Sequence, residues 1–292
     1  MDIRQALAWG REQLSASPTA AGDSRLLLQH VLGVDEPSKL IAHDERELTA
    51  DELAAYRALV RRAGDQEPVP YLIGEAPFYG LSFRVTPAVL IPRPETELLV
   101  KAALDWARER SLRHVVDVGT GSGCIAIVLA RHLRQSTKEA APSVERGPSI
   151  EAVDVSEAAL QVARENARRH GVERQIRFRH GTLLEAATDR ADLVVANLPY
   201  IADDEWTALD EGVKWYEPAG ALRGGVDGLE LIAALLRQAR TRLRPQGALF
   251  LEIGWRQGEA AADLARSLFP AAHVAVLPDY AGHDRILAVE TA

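Results

Sequence analysis

Two short stretches of this chain carry residue types that do chemistry together. In the first, Asp192-Leu193-Val194-Val195-Ala196 is a buried-strand pattern that ends in Asn197-Leu198-Pro199-Tyr200. Pro199 biases Leu198 toward extended backbone, which keeps the Leu198 carbonyl out of a helical hydrogen bond, and Asn197 sets a side-chain carbonyl beside it. Two adjacent acceptors match the two N–H donors of a planar NH2 group, and the Tyr200 ring offers a face on which that group stacks. The constellation selects an amide or an exocyclic amine. Such a nitrogen is a poor nucleophile because its lone pair is delocalised. Acceptors that pull on its hydrogens localise the pair and aim it at an electrophile, and positioning of this kind is worth roughly 7–11 kcal/mol in well-oriented systems. No strong general base is required, since the nitrogen's proton becomes acidic on alkylation. Taken alone, the tetrapeptide reads equally well as an ordinary strand-ending turn.

In the second stretch, Val115-Val116-Asp117-Val118 runs into Gly119-Thr120-Gly121-Ser122-Gly123-Cys124. A strand, a glycine turn and a helix start are implied; glycines let the backbone turn sharply and let a ligand approach with no Cβ in its way. A dinucleotide fingerprint would place its third glycine where Cys124 stands, which counts against a nicotinamide-dependent oxidoreductase. Further on, Ala152-Val153-Asp154-Val155 ends a strand with a carboxylate suited to bridging two ribose hydroxyls. The competing reading is a tight turn plus an Asp154 that caps the helix beginning near Ser156. Combined with the tetrapeptide, the loop and the carboxylate point to a nucleoside ligand.

Elements that would position these residues can be read from periodicity. From Ile3 to about Gly64 apolar residues recur at helical spacing, which predicts a small all-helical domain. Thr49 with Asp51 and Glu52 marks one helix start; Asp23 is expected to cap a helix over Leu26–Leu32 that Gly33 ends. Residues 67–96 turn to Pro, Gly and aromatics with alternation (Tyr71, Leu72, Phe78, Tyr79, Leu81, Phe83, Val85), which predicts a linker containing a hairpin. Residues 97–292 alternate strand and helix patterns, with a closing antiparallel pair near Val274–Leu277 and Arg285–Val289. That is the pattern of a doubly wound, mostly parallel α/β sheet whose ligands bind at the carboxyl ends of its strands. Gln135–Pro148, aperiodic and polar, is expected to be an exposed mobile loop.

Composition narrows the classes. A 292-residue chain that is 47% hydrophobic can bury a real core, and Lys+Arg 34 against Asp+Glu 42 gives −8, so no global positive field exists to grip nucleic acid. The single cysteine, Cys124, forms no internal disulfide, and neither cysteines nor the eight histidines show metal-ligand spacing. With no apolar leader or membrane span, the expectation is a soluble cytoplasmic protein without a metal. Cys124 reads as a core residue, Arg164, Arg168, Arg169 and His170 as a solvated helix face, and Arg93, Glu95 and Glu97 as helix-start charges, with a substrate channel as the alternative.

These residues resemble class I S-adenosylmethionine-dependent methyltransferases, and specifically the bacterial peptide chain release factor glutamine methyltransferases of the HemK/PrmC family. The resemblance covers nearly the whole chain: Pro70-Tyr71-Leu72-Ile73-Gly74-Glu75 with Phe78, then Leu90-Ile91-Pro92-Arg93-Pro94-Glu95-Thr96-Glu97, the Asp117–Cys124 loop and Asn197–Tyr200. It continues through Glu217-Pro218, Ala221-Leu222-Arg223-Gly224-Gly225 and Asp227-Gly228-Leu229. The segment 91–97 is its most specific element and separates it from the related ribosomal-protein enzymes.

What the resemblance implies is a Rossmann-like sheet with a helical N-terminal domain that helps grip the substrate. It implies S-adenosyl-L-methionine as donor, S-adenosyl-L-homocysteine as product, and class 1 release factors as partners. The methyl group goes to the side-chain amide of the glutamine in Gly-Gly-Gln. Gly119, Thr120, Gly121, Ser122 and Gly123 would surround the methionine part and Asp154 the ribose. Asn197 and the Leu198 carbonyl would hold the glutamine amide where it meets the cofactor, Pro199 would shape the turn and Tyr200 would pack on the amide. Two departures stand out. Leu198 replaces the family's usual proline, and Gly181-Thr182-Leu183 stands where many methyltransferases carry an acid toward the adenine amine, so that Thr182, Leu183 or backbone takes that role. A ribosomal-protein glutamine, an adenine N6 amine in nucleic acid, and a non-catalytic scaffold remain as alternatives; a monomer without direct nucleic-acid contact is expected.

Overall fold

The computed structural model describes residues 1–136 and 147–292. Two compact units emerge: Met1–Glu75 with Asp210–Tyr216, and Ala76–Leu209 with Glu217–Ala292.

The first unit is helical: α1 (Ile3–Gln13), α2 (Ala20–Leu32), α3 (Pro37–Ala42), α4 (Ala50–Gly64) and α5 (Val69–Ile73). Reciprocal capping boxes start α1 (Asp2 with Gln5) and α4 (Thr49 with Glu52), each satisfying two orphan N–H groups. Asp23 caps nothing: α2 begins three residues earlier, and the Asp23 carboxylate accepts from the hydroxyls of Ser17 and Thr19. Gly33, at φ +62°, ends α2 as its freedom allows. Ile3, Leu27, Leu28, Tyr56 and Val60 form the core, and the buried Tyr56 hydroxyl sits 2.7 Å from that of Ser24. Tyr71 and Leu72, read as alternating strand, instead lie in α5. Pro70 presets its first turn, Gly74 at φ +77° stops it, and Val69 and Leu72 join the helical core. Residues 67–74 therefore belong with the helical unit rather than with the hairpin.

The hairpin, β1 (Glu75–Phe78) and β2 (Leu81–Arg84), turns on Tyr79 and Gly80, both left-handed, the geometry that matches strand twist in a two-residue loop. Its Phe78 and Phe83 enter the core of the second unit. There α6 (Thr96–Ala107), β3 (His114–Val118), α7 (Cys124–Ser136), β4 (Ser149–Asp154), α8 (Glu157–Arg169), β5 (Ile176–His180) and β6 (Ala191–Ala196) follow in turn. A short parallel pair, β7 (Ile201–Ala202) and β8 (Arg223–Gly225), precedes a helix over Glu230–Arg242, then β9 (Leu243–Glu252), a helix over Gly258–Leu268, β10 (His273–Pro278) and β11 (Asp284–Glu290). Gln135 and Ser136, read as loop, continue α7; most of the expected 135–148 loop lies outside the described residues.

The seven main strands order β10-β11-β9-β6-β3-β4-β5, and all run in one direction except β11, which lies antiparallel between β9 and β10 and forms with β10 the expected closing antiparallel pair. Alternate strand residues serve opposite faces: Val115, Leu193 and Phe250 meet α6 and α7, while Val116, Val194 and Leu249 meet the two C-terminal helices. Burial of both faces explains why the strands read as continuous apolar runs. Connections leave β3 in one direction and return to β6 on its other side, which opens a crevice at the carboxyl ends of β3, β4 and β6. No helix among the described residues is long and apolar enough to cross a membrane.

Candidate active site

The glycine loop is held mostly by backbone and by one buried acid. Gly119 and Thr120 both donate to the Val153 carbonyl (2.9 and 3.0 Å). Asp117 on β3 is fully buried; its Oδ2 accepts from the Thr120 hydroxyl (2.7 Å) and the Ala126 N–H (3.1 Å), stapling the loop to the start of α7. Among the described residues its Oδ1 has no hydrogen-bond partner, and burial raises the carboxyl from 3.8 to about 7. At the end of β4, Asp154 accepts from Gly121 N–H through Oδ2 and from Ser156 N–H through Oδ1, each at 2.9 Å. The α8 cap is Ser156, which takes the Ala159 N–H, so Asp154 does not cap that helix.

A cavity of about 280 Å3 brings together most of the expected residues: Gly119, Thr120, Gly121, Ser122, Asp154, Thr182, Leu183, Asn197, Leu198 and Pro199. Gly121 is left-handed, with nothing nearer than 4.0 Å to a Cβ placed on it. Leu183 is a non-glycine residue at φ +49°, a strained conformation of the kind that clusters at ligand sites. Leu198 is buried, and its Cδ2 lies 3.2 Å from where a Gly119 Cβ would stand, so this apolar side chain packs beneath the loop.

Two expected residues lie elsewhere. Gly123 does not line the cavity. At φ +81° and with a Cβ position only 3.0 Å from the Ala163 Cβ, it lets α7 and α8 approach. Tyr200 does not line it either. Its ring packs on the core, and its hydroxyl donates to Glu252 Oε1 (3.1 Å) at the end of β9, a burial that pushes the phenol above its ordinary range. The Tyr200 hydroxyl is therefore anchored to a neighbouring strand, a bond that its position in the sequence does not announce.

The turn is held from a distance. Asn197 Nδ2 donates to the Thr96 hydroxyl (3.0 Å), which donates to Glu252 Oε2 (2.7 Å). Burial pushes the Glu252 carboxyl up, opposed by the Thr96 and Tyr200 hydroxyls and the charge of Arg285. Gln257 Nε2 donates to the carbonyls of Tyr200 (2.9 Å) and Asp227 (3.2 Å). A Cβ at Gly224 would stand 2.7 Å from Pro199 O, which explains glycine there. Thr96, Glu252 and Gln257 had no role in the sequence reading. Glu252 left a signal, a carboxylate ending the apolar run Ala248–Leu251, like Asp154; Thr96 lies in the distinctive segment 91–97, but nothing in the sequence pairs it with Asn197, 101 residues away.

Among the flanking charges, Arg93 lines the cavity and pairs with the buried Glu217, whereas Glu97 accepts from the Tyr79 N–H. Cys124 is buried and its thiol pushed up to about 12, so it fills space and is no nucleophile. His170, read as solvated, bonds the Ser82 carbonyl and meets the Phe83 ring. Among the described residues no group of three or more His, Cys, Asp or Glu could hold a metal ion.

Asp154 acceptors, a Cβ-free backbone at Gly121 and the apolar, 64% exposed Val155 beside them suit a nucleoside with vicinal hydroxyls. Sheet order and site together define a Rossmann-like methyltransferase. A methyltransferase-domain profile matches residues 109–275, and a PrmC N-terminal-domain profile matches residues 5–74. The chain is 41% identical over 268 residues to the release factor glutamine methyltransferase of Cereibacter sphaeroides, covering 92% of this chain and 90% of that one. It is 38% identical over 292 residues to that of Bacillus subtilis, covering 98% and 96%. The chain belongs to the release factor glutamine methyltransferase family. Among solved structures it shares its fold with the hMettl16 catalytic domain in complex with MAT2A 3'UTR hairpin 6 (TM-score 0.53, 16% identity, 84% and 83% covered). It shares it also with the ribosomal protein L11 methylase of Lactobacillus delbrueckii subsp. bulgaricus (TM-score 0.50, 22%, 72% and 86%).

Proposed function

We propose that this chain methylates the side-chain amide nitrogen of the glutamine in the Gly-Gly-Gln motif of class 1 release factors, giving N5-methylglutamine. The observation that carries the reading is Asn197: it lines the same cavity as the glycine loop and Asp154, and its NH2 is tied back to Thr96. S-adenosylmethionine, when bound, supplies an electrophilic methyl group. All of these residues line the cavity: Asp154 would accept from ribose hydroxyls, Gly119 to Ser122 would border the methionine part, and Thr182 and Leu183 would border the base. Asn197 Oδ1 and the Leu198 carbonyl accept the two hydrogens of the substrate amide and point its lone pair along one direction. Pro199 keeps Leu198 extended. A neutral amide hydrogen becomes acidic as the nitrogen is alkylated, so solvent can take the proton. Arg93 contributes positive charge at the cavity, offset by Glu217. We further propose a cytoplasmic monomer that contacts protein rather than nucleic acid, in keeping with its net charge of −8.

The test is mass spectrometry of a purified release factor incubated with this protein and S-adenosylmethionine, beside a release factor whose Gly-Gly-Gln glutamine is replaced. A shift of one methyl group on that peptide, absent from the replacement, is expected. No shift in a preparation that binds the cofactor overturns the reading and directs attention to ribosomal-protein glutamines and adenine amines.

A further inference from the structure

Three polar side chains from separate parts of the sequence meet at the cavity wall, where Thr96 and Asn197 line the cavity and Glu252 stands behind them. Thr96 is the first residue of α6 and is 3% exposed; Glu252 ends β9 and is 1% exposed; Asn197 follows β6. Thr96 Oγ1 lies 2.7 Å from Glu252 Oε2 and 3.0 Å from Asn197 Nδ2, while Tyr200 donates to Glu252 Oε1. A threonine hydroxyl has one proton, and both Glu252 oxygens are placed as acceptors, Oε2 for Thr96 and Oε1 for Tyr200. The hydroxyl proton goes to Glu252, which leaves Thr96 only a lone pair to offer Asn197. A lone pair accepts from the NH2 end of an amide and repels the carbonyl end. The NH2 of Asn197 is thereby committed to Thr96 and its carbonyl faces the cavity.

We propose that Glu252, acting through Thr96, sets which end of the Asn197 amide faces the cavity, and so makes the site choose a substrate amide over a carboxylate. This rests on the glutamine-methylating reading above. Both ends of an asparagine side chain have nearly the same shape, so packing alone cannot choose between them; the hydrogen-bond partners must. With its carbonyl inward, Asn197 adds a second acceptor to that of Leu198, and the pair fits an NH2 group. Turned over, it presents a donor, which meets a substrate NH2 with like polarity and suits a glutamate carboxylate. Thr96 and Glu252 are positioning residues: neither is assigned a contact with substrate.

The test uses the full chain, a release factor with its glutamine, and the same factor with that glutamine changed to glutamate as a competitive inhibitor. S-adenosylhomocysteine titration reports on the integrity of the cofactor site. Thr96→Val keeps shape and removes the acceptor; one neutral hydrogen bond of about 1 kcal/mol corresponds to about a fivefold to tenfold change, so kcat should fall at least that far. Preference for the glutamine factor over the glutamate factor should narrow by a similar ratio, with S-adenosylhomocysteine affinity unchanged. Thr96→Ser, which retains the hydroxyl, should restore both. Glu252→Met frees the hydroxyl proton to turn toward Asn197, and should narrow the preference in the same way even if Thr96→Val does not fold. A folded Thr96→Val or Glu252→Met with kcat and amide preference like those of the parent overturns the inference. A parent enzyme that leaves the release factor unmethylated overturns the proposed function instead.

Discussion

The glycine loop after β3 and the Asn197–Tyr200 turn after β6 line one cavity but are held in different ways. The loop is fixed by bonds within its own neighbourhood: Asp117 to Thr120 and Ala126, and Gly119 to Gly121 onto the end of the adjacent strand at Val153 and Asp154. The turn is fixed by Thr96, 101 residues upstream of Asn197, and by Glu252 and Gln257, 52 and 57 residues downstream of Tyr200. The loop, proposed above to hold the cofactor, is thus written as a short motif of backbone conformations. The turn, proposed to hold the acceptor amide, recruits side chains from across the sheet to orient its polar atoms.

Breaking the turn at its centre should have the largest effect and leave the loop alone. Asn197→Ala is expected to reduce turnover on the order of a thousandfold, a loss proper to misplacing a poor nucleophile, while cofactor affinity stays within about tenfold. Parallel titration and turnover measurements check it; full activity would dissolve the distinction between the two regions.

Next in size is a pH effect confined to the loop. Asp117 has its carboxyl raised from 3.8 to about 7 by burial, so the folded state keeps a proton that the unfolded state has lost. Its contribution is therefore most favourable below about pH 4, declines as pH rises toward 7, and is flat above; over that interval it amounts to at most about 4 kcal/mol. Asp117→Asn removes the slope and gives the orphaned Oδ1 position a neutral group. Melting temperatures of the cofactor-free proteins should show the parent losing ground to this variant between pH 5 and 7.5. Parallel curves would contradict the buried, protonated acid.

Asp154→Ala should give the mirror image of Asn197→Ala. Charge-assisted hydrogen bonds of about 1.5–3 kcal/mol imply cofactor affinity weakened by roughly one to two orders of magnitude, with kcat at saturating cofactor changed only a few-fold. Calorimetric titration with S-adenosylhomocysteine reads this directly.

The smallest effect separates packing from binding inside the loop itself. Gly123→Ala places a Cβ 3.0 Å from that of Ala163 at φ +81°, a cost of about 1–3 kcal/mol in stability. A lower melting temperature is expected, with cofactor affinity retained in the folded fraction. Loss of affinity without loss of stability would return Gly123 to the cavity wall.

The same division explains what could be read in advance. The alternation of elements, the strand-loop-helix at Val115–Cys124, the carboxylate of Asp154 and the apolar run into Asn197 are all short-range patterns, and the structure has them within a few residues of where periodicity puts them. What local pattern does not show are partners far away in the chain. Nothing near Tyr200 announces its bond to Glu252. Gly123 looks like the other glycines of its loop because the facing Ala163 sits 40 residues away on α8. Tyr71 and Leu72 alternated like a strand, yet burial against the helical core made them a turn of helix.

By itself the sequence determined the order of elements, the place of the glycine loop and the identity of the groups able to accept from an amide, since each depends on backbone preference and on chemistry carried by neighbouring residues. Only the tertiary structure decided which way those groups point. Orientation of a side chain such as Asn197 is set by hydrogen-bond partners, and its partners Thr96 and, through it, Glu252 reach it only once β6, β9 and α6 lie side by side.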